Sequence, residues 1–201
     1  MRSLLLTAFE PFGGAVVNTS LEAARRLAEG DDRIALAVLP VVRGAAERAA
    51  LAALEGLREA GTPPGLVVSL GEASRPAVCL ETAAVNRDDF PIPDNAGNEP
   101  HGEPILTDGP DVYEARLPLE ALAATAGDTP VPVAISRDAG TFLCNHLAYC
   151  LSHALAGSAL PYLFIHVPAV RPGDALTIEA VAETLRGVLD ATRRIVSDAP
   201  G

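Results

Sequence analysis

Short apolar runs alternate with longer stretches of helical spacing along the whole chain, and this alternation restricts the fold more than any other feature. Residues 66–70 form the kind of apolar run expected of a central parallel strand, which is buried on both faces. Residues 3–8, 33–39, 78–85, 131–136 and 162–167 read as further strands, short and bounded by turn signals. Helical spacing falls on residues 21–29, 45–60, 117–125, 141–155 and 176–195. Asn18, Thr19 or Ser20 can cap the first of these helices. Gly61-Thr62-Pro63-Pro64-Gly65 stops the second. Residues 86–111 are rich in Asp, Asn, Pro and Gly, show no period, and are expected to wrap the surface. No repeat or linker divides the chain. The pattern predicts one α/β domain, residues 1–201, built on a largely parallel sheet. Ligand sites in such sheets lie beyond the C-terminal ends of strands, which filters the candidates below.

Charge narrows the function. The chain has 15 basic and 26 acidic residues, for a formal net charge of −11. With that balance and no basic stripe, nucleic acid is not an expected partner. Every basic residue is arginine, which excludes a lysine Schiff base or a phosphate-loop lysine. The N-terminal run Met1-Arg2-Ser3-Leu4-Leu5-Leu6-Thr7 is too short for a signal peptide. No stretch is long enough to span a membrane, so no membrane partner is expected. Three cysteines are too few and too irregular for a disulfide scaffold. A soluble cytoplasmic protein with reduced thiols is the expectation. No His/Cys/Asp cluster has metal-ligand spacing.

The most informative stretch is Arg137-Asp138-Ala139-Gly140-Thr141-Phe142-Leu143-Cys144-Asn145-His146. A strand ends, a glycine turn follows, and a helix begins near Cys144. A thiol in the first turn of a helix lies near unpaired N–H groups and the positive end of the dipole, which favour a thiolate. The same groups can hold an oxyanion. Cys79, within a strand, and Cys150, within an apolar helix stretch, read as packing residues. A thiol nucleophile needs a base. His146 is two residues from Cys144 and faces elsewhere on a helix. His153 lies far along that helix, and His101 sits in the polar loop. His166 follows Phe164-Ile165 near the end of an apolar strand, where an active site belongs. Glu81 lies within an apolar strand, where a carboxylate is costly unless paired. Cys144, His166 and Glu81 therefore make a coherent nucleophile–base–acid set.

Four motifs carry a resemblance. Phe9-Glu10-Pro11-Phe12-Gly13-Gly14, Pro91-Ile92-Pro93-Asp94-Asn95, Ala139-Gly140-Thr141-Phe142-Leu143-Cys144-Asn145-His146 and Phe164-Ile165-His166-Val167-Pro168 occur in this order. Together they resemble the pyroglutamyl-peptidase I (pyrrolidone-carboxylate peptidase) family of cysteine peptidases, over nearly the whole chain. The resemblance implies a three-layer α/β/α sandwich with a twisted, mixed sheet. It implies Cys144 as nucleophile, His166 as base and Glu81 as acid, acting on peptides with an N-terminal pyroglutamate. It implies no metal or cofactor, and a homo-oligomer, tetramer or dimer. Phe9 and Phe12 are then the aromatic pair expected to sandwich the lactam ring. Arg75 is expected near the oxyanion region, with Asn18 and Thr141 among the substrate-binding candidates. Asn18 and Asn86 are expected to tie loops, Asp94 and Asn95 to form a turn, and Asn145 to cap the nucleophile helix.

The chain departs from that family's pattern in places. Ala8 stands where glycine is usual, Glu72 where an amide is common, and the loop at residues 71–76 is short. Glu72 is thereby expected to add a carboxylate near the pocket. Two other readings stay open on the residues alone. One is a nucleoside phosphorylase- or hydrolase-like enzyme, for which Arg75 and Gly13-Gly14 offer phosphate contacts. The other is a binding protein of the same fold that keeps the site residues without activity.

Overall fold

The apolar runs become strands whose side chains alternate between two cores. In the computed structural model, which describes residues 3–198, β1 (Leu4–Phe9) is buried throughout. Leu4, Leu6 and Ala8 point into one core, and Leu5 and Phe9 into the other. The remaining strands of the main sheet are β2 (Ile34–Leu39), β3 (Leu66–Ala73), β4 (Val78–Glu81), β9 (Val133–Ser136) and β10 (Tyr162–Pro168). Short strands β5 (Ala83–Val85), β6 (Asp88–Asp89), β7 (His101–Glu103) and β8 (Val112–Glu114) lie outside it. The helices are α1 (Thr19–Ala28), α2 (Ala45–Glu59), α3 (Leu119–Ala126), α4 (Leu143–Ala154) and α5 (Ile178–Asp198). Met1 and Arg2 of the N-terminal run lie outside the described residues.

The main sheet has the order β2-β1-β3-β10-β4-β9. β2, β1, β3 and β10 are parallel. β4 pairs antiparallel with β10, and β9 runs parallel to β4. The sheet is therefore mixed, with β10 as the seam between its two directions. Helices α1, α3 and α5 cover one face and α2 and α4 the other, which makes three layers. Leu6, Leu70, Leu80 and Leu185 have no exposed surface, and each contributes roughly 1.5–3 kcal/mol through burial. No helix among the described residues is long and apolar enough to cross a membrane.

Most expected elements form within two or three residues of their predicted ends. The first helix takes Asn18 as its cap, with the side chain accepting from the Ser20 N–H. Three expectations need correction. The single strand expected at 78–85 is two strands, because after Thr82 the chain leaves the sheet and β5 pairs with β8. The strand expected to stop at Leu70 continues through Gly71 to Ala73, held by β10. The loop at 86–111 contains β6 and β7, and it is tied down by buried charges rather than merely lying on the surface.

Candidate active site

Strand pairing brings the candidate residues together. Register sets Gly71 of β3 beside His166 of β10. Cys144 is the second residue of α4, in the layer over this face of the sheet. An ideal Cβ built on Gly71 would lie 2.7 Å from Cys144 Sγ and 3.2 Å from His166 Cδ2. Thiol and imidazole thus converge over bare main chain. The Cys144 thiol also lies in the first turn of α4, where helix N–H groups have no partner within the helix.

His166 is held from its other side. Its Nδ1 is 2.7 Å from Glu81 Oε1, and both side chains are almost wholly buried. A carboxylate partner places the ring proton on Nδ1 and leaves Nε2 free for the thiol. Phe164 packs edge-on against the imidazole, with ring centres 5.1 Å apart. Burial works to lower the imidazole pKa. The adjacent Cys144 sulfur and the Glu81 carboxylate outweigh it and raise it to about 9. Glu81 ends β4, the antiparallel neighbour of β10, so it approaches His166 from a strand running the other way. The rule about C-terminal ends of parallel strands therefore leads to His166 but not to its acid.

Arg75 braces the acid. Its Nη1 donates to Glu81 Oε1 at 3.3 Å and to Ser136 Oγ at 2.6 Å, and its Nη2 donates to the Asp138 carbonyl. This arginine lies behind the carboxylate and ties β4 to the turn that leads into α4. Ser136, absent from the sequence-derived candidates, ends β9 and holds the guanidinium.

The other predicted residues divide. Phe9 is the last residue of β1 and lies buried in the core beneath α2 and α4, rather than in the loop. Phe12 is half-buried, and its ring centre is 5.3 Å from that of Phe142, which in turn meets Phe90 at 4.7 Å. Phe142 and Phe90 are aromatic neighbours that the sequence reading passed over. Asn18 caps α1 and donates to the Glu10 carbonyl, so its side chain is committed to the loop. Thr141 donates its hydroxyl to the Asp89 carbonyl. Asn86 spans its loop to the carbonyls of Leu106 and Gly109, and Asp94 accepts from Ala96 and Asn98, as a turn requires. Asn145 does not cap α4: the cap position is Phe142, with no side-chain bond. Its amide clamps Val85 and Arg87 instead. Glu72 does not add a free carboxylate to the pocket. It accepts from the Thr19 N–H and pairs with Arg171 at 2.5 Å, and these bonds outweigh burial to lower its pKa.

The other cysteines and histidines lie away from this pair. Cys79 is buried, and Cys150 lies one turn beyond His146 on α4. His146 faces away from the thiol, with Nδ1 2.9 Å from the buried Asp88 carboxylate and Nε2 3.4 Å from Glu47. Burial opposes its charge, but Asp88, Cys150 and Glu47 together raise its pKa to about 11. His153 is exposed and meets the Tyr113 hydroxyl at 2.7 Å, and His101 is exposed on β7. No group of three or more metal-ligating side chains occurs among the described residues.

The sequence profile of the pyroglutamyl peptidase family matches residues 2–187. The chain belongs to that family. A pyrrolidone-carboxylate peptidase of Streptomyces coelicolor is 41% identical, over 96% of this chain and 93% of its own. One from Vibrio parahaemolyticus is 40% identical, over 84% and 79%. A solved pyrrolidone carboxyl peptidase of Pyrococcus furiosus superposes with a TM-score of 0.85 at 29% identity, covering 97% of this chain and all of that one. The pyroglutamyl peptidase I of Bacillus amyloliquefaciens gives 0.80 at 33% identity, covering 98% of each chain. These likenesses confirm the three-layer fold with its mixed sheet. None of them supports the nucleoside phosphorylase-like alternative.

Proposed function

We propose that this chain is a cysteine exopeptidase that removes an N-terminal pyroglutamyl residue from peptides or proteins. One observation carries the site assignment: Cys144 and His166 converge over Gly71, with Glu81 2.7 Å behind the imidazole. His166 takes the thiol proton, and Sγ attacks the carbonyl carbon that joins the pyroglutamyl residue to the next one. The oxyanion forms near the N–H groups of the first turn of α4. The C–N bond breaks, His166 gives its proton to the leaving amine, and a thioester remains. Water, deprotonated by His166, then attacks the thioester and releases pyroglutamate and the thiol. Glu81 holds the imidazole in orientation and balances its charge, and Arg75 braces Glu81. No cofactor or metal takes part.

The ring of the substrate is neutral and flat. Phe12, backed by Phe142, offers it an apolar face beside the loop that follows β1. Phe9 supports that loop from the core. An unblocked N-terminus would bring an unpaired ammonium into this apolar setting, which is costly. That gives the preference for a cyclised terminus a physical basis. Three free cysteines fit a reducing, cytoplasmic setting, and family resemblance supports a homo-oligomer, dimer or tetramer.

The test is hydrolysis of a pyroglutamyl-linked fluorogenic amine beside its glutamyl counterpart. Release is expected from the first only, and it should stop on thiol alkylation. A Cys144→Ala variant that cleaves as fast as the parent would sink the mechanism. An intact chain with no cleavage would favour the binding-protein reading.

A further inference from the structure

Behind Glu81 lies a concavity of about 260 Å³, which neither Cys144 nor His166 lines. It opens under the β5–β8 ribbon, against α4. Glu81 and Tyr162 form part of its wall, with Phe164 and Tyr113 as further aromatic surface and Ser152 of α4 at the side. One buried polar atom of these wall residues, Glu81 Oε2, has no hydrogen-bond partner among the described residues, whereas the Tyr162 hydroxyl interacts with Ser69. Glu81 is 3% exposed, and its other oxygen is committed to His166 and Arg75. An unpartnered buried carboxylate oxygen is costly and calls for a donor. Glu114, exposed on β8, adds a second carboxylate to the lining. Arg116 is turned to the carbonyls of Ser158 and Leu160, at 2.7 and 2.8 Å.

We propose that this cleft is a binding site for a small primary alkylammonium ion. The ammonium would donate to Glu81 Oε2, with its alkyl part against the aromatic rings. Aromatic faces and a carboxylate together recognise such ions, each ring supplying cation–π attraction. Two carboxylates in the lining exclude anions, and a neutral donor would leave Glu114 unused. The bound cation competes with the His166 imidazolium for one carboxylate, so occupancy slows the chemical step without touching the peptide pocket. This kinetic consequence rests on the peptidase reading above, whereas the binding does not.

The probe is propylammonium chloride, compared with sodium chloride at equal ionic strength, with binding followed by ligand-detected NMR and calorimetry. The wild-type chain is expected to bind it saturably. Glu114→Gln should weaken binding about fivefold, the low end of couplings between neighbouring sites. Ser152→Leu should fill the side of the cleft and abolish binding. Both positions lie outside the proposed catalytic machinery, so basal activity should hold. At saturation kcat is expected to fall about fivefold with KM unchanged. No saturable binding, or equal binding by the three proteins, overturns the site. Binding that disappears in Ser152→Leu, in a chain that cleaves no pyroglutamyl amide, supports the cleft and counts against the peptidase reading.

Discussion

A methyl group on Gly71 would meet the Cys144 sulfur at 2.7 Å, the Phe164 ring at 3.0 Å and the His166 ring at 3.2 Å. All three neighbours belong to the site or pack on it, so none can yield without moving the chemistry. Gly71→Ala is therefore expected to lower kcat about a hundredfold, the loss that follows a displacement near 1 Å. Its thermal midpoint should change far less than its rate, because the intrusion is local. A rate within threefold of the parent would refute this close approach. The glycine was visible in the sequence, but its place in the strand was not. An isolated glycine in an apolar run signals either a stop or a close backbone approach, and here the reading as a stop was wrong. Cys144, His166 and Glu81 were legible because each breaks its local pattern: a thiol at a helix start, an imidazole and a carboxylate in apolar strands. Ser136 and Phe142 break no pattern, and only the fold brings them to the site.

Between β4 and the surface loop, residues 83–90 form a strap along the N-terminal half of α4. Asn145 clamps it through three hydrogen bonds, and Thr141 and Asp89 exchange two more. Asp88, fully buried, joins it to His146 and to Arg43, whose Nε lies 2.7 Å away. The strap thus fixes the helix turn that presents Cys144. Asn145→Ala removes the three bonds and leaves the Val85 N–H and the Val85 and Arg87 carbonyls without this partner. At roughly 1 kcal/mol for each bond lost, destabilisation of about 3 kcal/mol is expected in a urea titration. The sequence could not reveal the strap. Thr82, where β4 gives way to β5, is an ordinary strand residue, and no proline or glycine there marks the departure. The pairing of β5 with β8 depends on residues about thirty positions away, beyond the reach of local periodicity.

At the scale of the molecule, buried charge makes stability depend on pH. The pKa of His146 rises from 6.5 to about 11 on folding, despite burial, because Asp88, Cys150 and Glu47 surround it. A group whose folded pKa is raised contributes stability that is complete below the unfolded value and is lost as pH climbs through the folded one. The thermal midpoint is therefore expected to fall steadily between pH 7 and pH 10. His166, raised to about 9, acts in the same direction. His146→Gln should flatten this slope while leaving the portion due to His166. An unchanged slope in that variant would show that His146 is not held in its charged form. The overall architecture was the most legible level of all. Alternating apolar runs and helical segments led to a single α/β unit, and the reversed direction of β4 and β9 was the part that no local signal announced.

The sheet order has a consequence for the chain as it is synthesised. β10 is the last strand in sequence, yet it lies between β3 and β4, both made much earlier. A growing or truncated chain that ends before residue 162 already possesses the thiol of Cys144 and the acid of Glu81, but it lacks the imidazole and the strand that seats it. Thiol and imidazole meet only when the sheet is closed from the middle. Under the proposed mechanism, the growing chain therefore stays without activity until nearly all of it has been made.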